Sequence, residues 1–197
     1  MLDFIFDYSE SGRWKKPFAA HDVGTYPLAN GQTYQGDMPV EETGNMLIMT
    51  TAIAIADGNA DYAAKHWEIL TAWSNYLAEA GMDPENQLCT EDFAGHLAHN
   101  ANLSAKAIMA IAGYGRLAEM LNKPEEAKKF TEMAKRMAIE WERRADDGDH
   151  YRLAFDMPGT WSQKYNFVWD KVLGLNILPD RSEEHTSELQ SQHSISY

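Results

Sequence analysis

The apolar residues of the chain alternate between two patterns, and both are typical of helices. Segments 46–56 and 103–121 are apolar on nearly every side and too long for buried strands, which predicts helices buried all round. Segments 60–80 and 125–145 instead place their apolar residues on one face, as half-buried helices do. With TWSQ at 160–163 as a capping box, these patterns predict five helices, at about 39–57, 60–80, 102–121, 124–145 and 160–175.

The order of these helices indicates a repeat of helical hairpins. The buried helices begin about sixty residues apart, and each is followed after a short turn by a half-buried helix. The segments that precede the buried helices are much longer than those turns. Because the chain direction alternates, all the short turns lie at one end of such an array and all the long segments at the other. We therefore expect three segments to meet at one end, namely 17–38, 81–101 and 146–159.

The extent of the repeat indicates a piece of a larger protein. Two and a half hairpins neither close a ring nor continue as a solenoid, so we expect the rest of a parent chain as a partner and expect this piece alone to be inactive. Part of the last buried helix should then form an exposed apolar patch, made of Val168, Val172, Leu173 and Leu175. Residues 180–197 are rich in Ser and lack periodicity, which predicts a non-native, adapter-derived or disordered tail after a domain at 1–179. A native linker is the alternative.

Composition narrows the range of partners and compartments. The formal net charge of −13 disfavours nucleic acid and anionic membrane surfaces, which both attract basic patches. No apolar run approaches the roughly 18 residues of a membrane span. The single cysteine, Cys89, excludes an intramolecular disulfide. There is no Gly-rich phosphate loop or dinucleotide fingerprint, so we expect no cofactor.

Side chains suited to chemistry concentrate in the long segments, where each leads into the beginning of a buried helix. Unpaired backbone N–H groups and the helix dipole favour anions at such positions. The candidates are His21, Asp22 and Tyr26 in the first segment with Glu41 and Glu42 just after it, Asp92, His96 and Asn100 in the second, and Trp161, Lys164 and Tyr165 after the third. Some polar residues here have a plainer interpretation as helix caps, namely Asp37, Asn102 and Thr160. The spacing of His96 and His99 and the sequence DDGD at 146–149 match neither a zinc site nor an EF-hand, so we expect no metal.

Three stretches resemble a known family. They are PFAAHDVGTYPLANGQTYQGDMPVEETGNMLIM, NQLCTEDFAGHLAHNANLSAKAIMAIAGY and DDGDHYRLAFDMPGTWSQKYNFVWDKVLGLNILP. They are similar to the six-hairpin domain of the glutaminase A family, over about residues 2–179 and not into 180–197. The resemblance implies an all-α fold, part of an (α/α)6 toroid, within a larger protein that is secreted or periplasmic.

The resemblance also implies hydrolysis of L-glutamine to L-glutamate and ammonia, without assigning roles to residues. On general chemistry, Glu42 and Asp92 are our first choices for an acid/base pair, with Asp22 and Glu41 in reserve. Lys164 suits the α-carboxylate of glutamine, while Trp161 and Tyr165 suit walls around its side chain. The remaining substrate-binding candidates are His21, Tyr26, His96 and Asn100. Two alternatives stay open: a glycoside hydrolase, since carboxylates and aromatic side chains also serve sugars, and a non-catalytic helical binding module.

Overall fold

The computed structural model describes residues 2–89 and 95–178, and these fold into helices joined by loops, with no strand among them. The all-α class predicted from the sequence is confirmed. The helices are α1 (Leu2–Glu10), α2 (Pro39–Asp57), α3 (Asp61–Lys65), α4 (Trp67–Ala80), α5 (Ala101–Met120), α6 (Pro124–Ala145) and α7 (Val168–Val172), and a 3-10 turn at Tyr165–Phe167 precedes α7.

The helix ends follow from local sequence signals. Pro39 and Pro124 open α2 and α6 at the first helical position, where the missing N–H costs nothing. Gly58 ends α2 in the left-handed conformation, with φ of 67°, and its N–H bonds back to the last turn. Asn100 caps α5 by accepting a hydrogen bond of 2.9 Å from the backbone N–H of Leu103. The predicted bounds of α2, α5 and α6 are therefore confirmed to within one residue.

Two predicted helices differ from the structure. The segment 60–80 is broken at His66 into α3 and α4. The predicted helix over 160–175 is wrong in its extent, because residues 160–164 are not helical and α7 is a single short turn. Instead of capping a helix, the Thr160 hydroxyl donates to the carbonyl of Met157 and accepts from the N–H of Leu153, which ties it into the loop. Helix α1 was not predicted.

Helix α5 lies at the centre of the core, which explains its apolar pattern. It packs against α2 on one side and α6 on another, and nearly all of its side chains are buried. Its glycines allow close approach: a Cβ at Gly113 would lie 2.6 Å from Thr51 Oγ1 of α2, and one at Gly115 would lie 2.7 Å from Thr131 Oγ1 of α6. Large fully buried side chains, including Trp73, Tyr114 and Trp141, fill the space around it.

The long segments meet near the beginnings of α2 and α5, as predicted. The side-chain oxygen of Gln87 accepts from the N–H of Val40 at 2.9 Å, which joins segment 81–101 to α2. The N–H of Ala101 donates to the carbonyl of Leu153 at 2.9 Å, which joins the start of α5 to segment 146–159. The N–H of Ala19 donates to Thr43 Oγ1, which fastens segment 17–38 to α2. We call this side of the molecule the loop end, and the side with the turns at 57–60 and 121–124 the turn end.

The apolar patch predicted on the last helix is only half correct. Val168 and Val172 are 49% and 61% exposed, whereas Leu173 is buried and Leu175 is half-buried. The reason is that the chain folds back after α7, where the carboxylate of Asp170 accepts the N–H of Ile177 at 3.0 Å. Within 2–89 and 95–178, no helix combines the length and apolarity that a bilayer crossing requires.

Candidate functional site

Two neighbouring carboxylates in the first turn of α2 lie in different surroundings. Glu41 is 2% exposed and forms an ion pair with Lys106 of α5, whose side chain is 5% exposed. Glu42 is half-buried, and its Oε2 accepts a hydrogen bond of 3.2 Å from Asn45. The Asn45 side-chain oxygen in turn accepts from Lys106 Nζ at 2.8 Å. The residues Glu41, Lys106, Asn45 and Glu42 thus form one connected polar network at the loop end.

The surroundings of Glu42 favour its protonated form. Burial raises its pKa above the ordinary value for glutamate, and the neighbouring charge of Glu41 acts in the same direction. The hydrogen bond from Asn45 and the charges of Lys106 and His21 lower it, but the net direction is upward. A half-buried carboxylic acid with a raised pKa is suited to donate a proton.

Asp22 organises the loop around it. Its carboxylate accepts from the backbone N–H groups of Gly24, Thr33 and Tyr34 at 2.9 to 3.0 Å and lies 3.2 Å from the ring of His21. Burial raises the pKa of Asp22, but these hydrogen bonds outweigh it and bring the pKa down to about 2. A carboxylate with so many donors is a weak base, and its geometry supports a role in shaping the loop.

Two other candidates of the first segment differ in exposure. His21 is half-buried and packs its ring against Tyr34, with centroids 4.6 Å apart. Tyr26 is 94% exposed and stands away from the protein surface. Asp37 does not cap α2: Met38 holds the cap position, and Asp37 pairs with Lys16 and accepts from Gln32.

The candidates of the second segment are Asp92, His96 and Asn100. Asp92, one of the two first choices, lies outside the described residues. His96 is exposed at the surface. Asn100 is 1% exposed, caps α5 and donates to the sulfur of Cys89 at 3.4 Å, so its polar atoms are engaged within the protein. Its geometry supports a structural role in place of direct substrate contact.

The third group of candidates surrounds the start of the last helix. Trp161 is 53% exposed and stacks on His150, with ring centroids 4.1 Å apart, and Tyr165 is 43% exposed. Lys164 is only 3% exposed, and its ammonium lies 4.2 Å from the ring centroid of Tyr151. The two aromatic side chains are therefore available to a ligand, whereas the burial of Lys164 does not support direct contact with one.

Sequence reasoning missed Lys106 and Asn45. A signal for Lys106 was present, because it is the one charged residue in the run 101–115, which the pattern predicts to be buried. A charge in such a position needs a partner, and the acidic pair at 41 and 42 was a candidate. The sequence carried no corresponding signal for Asn45, whose role depends on the packing of α2 against α5.

Two clefts in the described part of the molecule are lined by residues outside the network of Glu41, Glu42, Asn45 and Lys106. One cleft of about 380 Å3 lies between the end of α6 and the loop that follows it, and another of about 690 Å3 lies at the turn between α5 and α6. None of the ten candidate residues that the structure describes lines either cleft. Over 2–89 and 95–178, no three His, Cys, Asp or Glu side chains are grouped so as to hold a metal ion.

Comparison with known proteins identifies the family. The glutaminase A six helical-hairpin domain matches residues 1–196. The chain belongs to this family. Glutaminase A from Aspergillus oryzae is 36% identical over 186 residues, which cover 91% of this chain and 27% of that protein. A protein named probable glutaminase from Arthroderma benhamiae is 26% identical over 256 residues, which cover 99% of this chain and 30% of that protein.

The residues covered by these matches can be compared with the domain bounds predicted from the sequence. The chain spans less than a third of the length of either curated relative. The family match is longer than the resemblance over 2–179, because it continues to residue 196. The non-native origin of 180–197 stays a prediction, and those residues lie outside the part that the structure describes.

Proposed function

We propose that the chain contributes to a site that hydrolyses L-glutamine to L-glutamate and ammonia within a larger protein. The observation that carries this proposal is Glu42, a half-buried carboxylic acid with a raised pKa, held at the loop end of a chain whose relatives bear the name glutaminase. The remainder of the parent chain completes the site, and the substrate is a small molecule. No nucleic acid or membrane takes part.

In this proposal the two carboxylates divide the proton transfers. Hydrolysis of an amide needs a base that activates water and an acid that protonates the leaving ammonia. Glu42 acts as the acid, because its raised pKa keeps a fraction of it protonated nearer neutral pH. Asp92 acts as the base. Glu41 is held by Lys106, so it supplies fixed negative charge beside Glu42 and does not exchange protons with the substrate.

The exposed aromatic side chains are proposed to bind the substrate. Trp161 and Tyr165 offer apolar faces for the methylene groups of glutamine, and His21 and His96 offer ring N–H groups for its polar atoms. Tyr26 is available at the edge of the loop end.

Carboxylate-to-amide substitutions in the full-length protein test the two roles. Glu42→Gln and Asp92→Asn should each lower kcat for ammonia release from L-glutamine by about a hundredfold or more, the scale of lost acid–base catalysis. The matched control for Glu42→Gln is Glu68→Gln, since Glu68 is an exposed glutamate in the first turn of α4. If both site variants remain folded and keep the turnover of the wild type, the pair is not catalytic.

A glycoside hydrolase is the second candidate, and the exposure of Trp161 and Tyr165 favours it. Aromatic faces stack on sugar rings, and paired carboxylates cleave glycosidic bonds. Release of reducing sugar from oligosaccharides, assayed beside release of ammonia from glutamine, separates the two. A folded full-length protein that releases neither product supports the remaining alternative, a non-catalytic binding module.

A further inference from the structure

The network at the start of α2 depends on an unusually close approach of α5. A Cβ at Gly44 would lie 2.7 Å from Cγ of Lys106, so only glycine leaves room for the lysine stem to cross α2. The stem then carries the ammonium to Glu41 and Asn45, where it is almost completely buried. A buried ammonium needs acceptors for its N–H groups, and here the Glu41 carboxylate and the Asn45 side-chain oxygen supply them.

The chemistry of the donors fixes the orientation of the Asn45 amide. An ammonium can only donate hydrogen bonds, so the atom of Asn45 that lies 2.8 Å from Lys106 Nζ must be the oxygen. The NH2 group then faces Glu42, and it donates to Oε2 at 3.2 Å. If the amide were reversed, two donors would face each other at Lys106 and two acceptors would face each other at Glu42.

We propose that Asn45 and Lys106 are positioning residues for Glu42: Lys106 locks the Asn45 amide, and Asn45 holds Oε2 so that the acidic proton of Glu42 resides on Oε1. The proposal rests on the proposed function, in which Glu42 is the acid. Because Oε2 is occupied as an acceptor, Oε1 is the oxygen that carries and delivers the proton. The lysine acts on Glu42 through Asn45 and, at longer range, through its own charge.

The charges around Glu42 come from three elements. Glu41 belongs to α2 itself, Lys106 to α5, and His21 to the loop before α2. The hydrogen bond from Asn45 lowers the pKa of Glu42, against the raising effect of burial. Loss of that bond should therefore move the titration of Glu42 to higher pH.

Asn45→Asp and Asn45→Ala together test this role, the first because it is nearly isosteric and the second because it adds no charge. Asp keeps an oxygen facing Lys106 but places a second oxygen, in place of NH2, against Oε2 of Glu42. The added charge of Asp also raises the pKa of Glu42 by repulsion, so the neutral variant Asn45→Ala, which removes the hydrogen bond without adding a charge, is needed beside it. The positioning role predicts a Glu42 titration shifted upward by about one pH unit, kcat lowered about tenfold and KM changed less than about twofold. Asn45→Ala should shift the titration of Glu42 in the same direction by loss of the hydrogen bond alone.

Two measurements keep this test independent of the proposed function. The titration of Glu42 is followed by 13C NMR of labelled glutamate in this chain, with Glu42→Gln assigning the signal, and the pH profile of ammonia release is followed in the full-length protein. Asn75→Asp, at an exposed position of α4, is the matched control and should leave both unchanged. If the wild-type protein releases no ammonia, the proposed function fails, and the titration of Glu42 alone then tests the positioning role of Asn45. An Asn45→Ala protein in which Glu42 titrates as in the wild type overturns the positioning role, because a shift seen only in Asn45→Asp is the effect of the added charge.

Discussion

Helix α5 has two basic side chains, one near each end, and they differ in burial and in the kind of ion pair they form. Lys106, near the loop end, is 5% exposed and pairs with the equally buried Glu41 of another helix. Arg116, near the turn end, is 44% exposed and pairs with Glu119 one turn along the same helix, which is 65% exposed. The first pair links distant parts of the sequence, whereas the second is local.

This contrast supports the proposal that the functional site lies at the loop end. An exposed pair contributes little to stability and constrains little. A buried pair is often no more stabilising than apolar side chains of the same size, so its presence calls for another reason. At the loop end that reason is proposed to be the control of Glu42, which no group at the turn end requires.

The largest loss of stability is expected when Lys106 is replaced. Lys106→Met should lower the free energy of unfolding by about 3–5 kcal/mol, because it leaves the carboxylate of Glu41 buried without its cation. Urea unfolding at neutral pH measures the loss. The double variant Lys106→Met with Glu41→Leu removes both charges and should recover most of it. A single variant as stable as the wild type contradicts the role assigned to the pair.

A smaller loss of stability is expected at Gly44, where α2 contacts α5. Gly44→Ala should lower the free energy of unfolding by about 1–3 kcal/mol, because its methyl group would lie 2.7 Å from the stem of Lys106. Gly58→Ala, at the turn end, has nothing within 4 Å of the new Cβ and should lose only about 1 kcal/mol through its positive φ. Thermal unfolding compares the two. In the Lys106→Met background, Gly44→Ala should lower the free energy of unfolding by less, because the lysine stem is no longer there. Equal losses at Gly44 and Gly58 that do not depend on Lys106 would show that α2 and α5 are not in tight contact at Gly44.

These expectations also show what the sequence was able to predict. The bounds of α2, α5 and α6 were predictable because long apolar periodicity and terminal Pro or Gly residues act locally. The error at 160–175 arose because TWSQ matches the sequence of a capping box. In the structure the Thr160 hydroxyl instead accepts a hydrogen bond from the backbone N–H of Leu153, seven residues earlier in the chain.

The candidate site was predictable in its location but not in its connections. The sequence placed Glu41 and Glu42 at the loop end and favoured Glu42 for the acid/base pair, but it did not show that Glu41 is paired with a buried cation. That cation is Lys106, which lies 65 residues away and reaches Glu41 only through the gap at Gly44. Likewise, Asn100 and Asn102 are two residues apart, and only the structure shows that Asn100 is the cap while Asn102 binds Asn166.

An effect of about 1 kcal/mol is expected for Asp22, and it should depend on pH. The pKa of Asp22 is lowered to about 2 in the folded protein, so its hydrogen bonds stabilise the fold above the unfolded value near 3.8. That contribution is lost as the pH falls through the folded pKa. Asp22→Asn should therefore lower the free energy of unfolding at pH 7 by about 1 kcal/mol, and the difference from the wild type should shrink between about pH 4 and pH 2.

The control for Asp22 lies at the turn end. Asp57, the last residue of α2, is exposed, and Asp57→Asn should change the unfolding free energy little at either pH. Urea unfolding at pH 7 and pH 3 separates the two variants. A loss in Asp22→Asn that is the same at both pH values would mean that the ionised carboxylate is not what holds the loop.

The smallest effect is expected at Arg116, and it completes the comparison along α5. Arg116→Met should change the free energy of unfolding by less than about 1 kcal/mol, because both partners of its ion pair are mostly in water. The substitution is the same kind as Lys106→Met, the loss of a cation to a methionine of similar length on the same helix, so the two differ chiefly in surroundings. Added salt should weaken the Arg116 pair further while leaving the buried Lys106 pair nearly unchanged. Unfolding of both variants in low and high salt gives the comparison directly, and an Arg116→Met loss as large as that of Lys106→Met would show that burial at the loop end is not what sets the two cations apart.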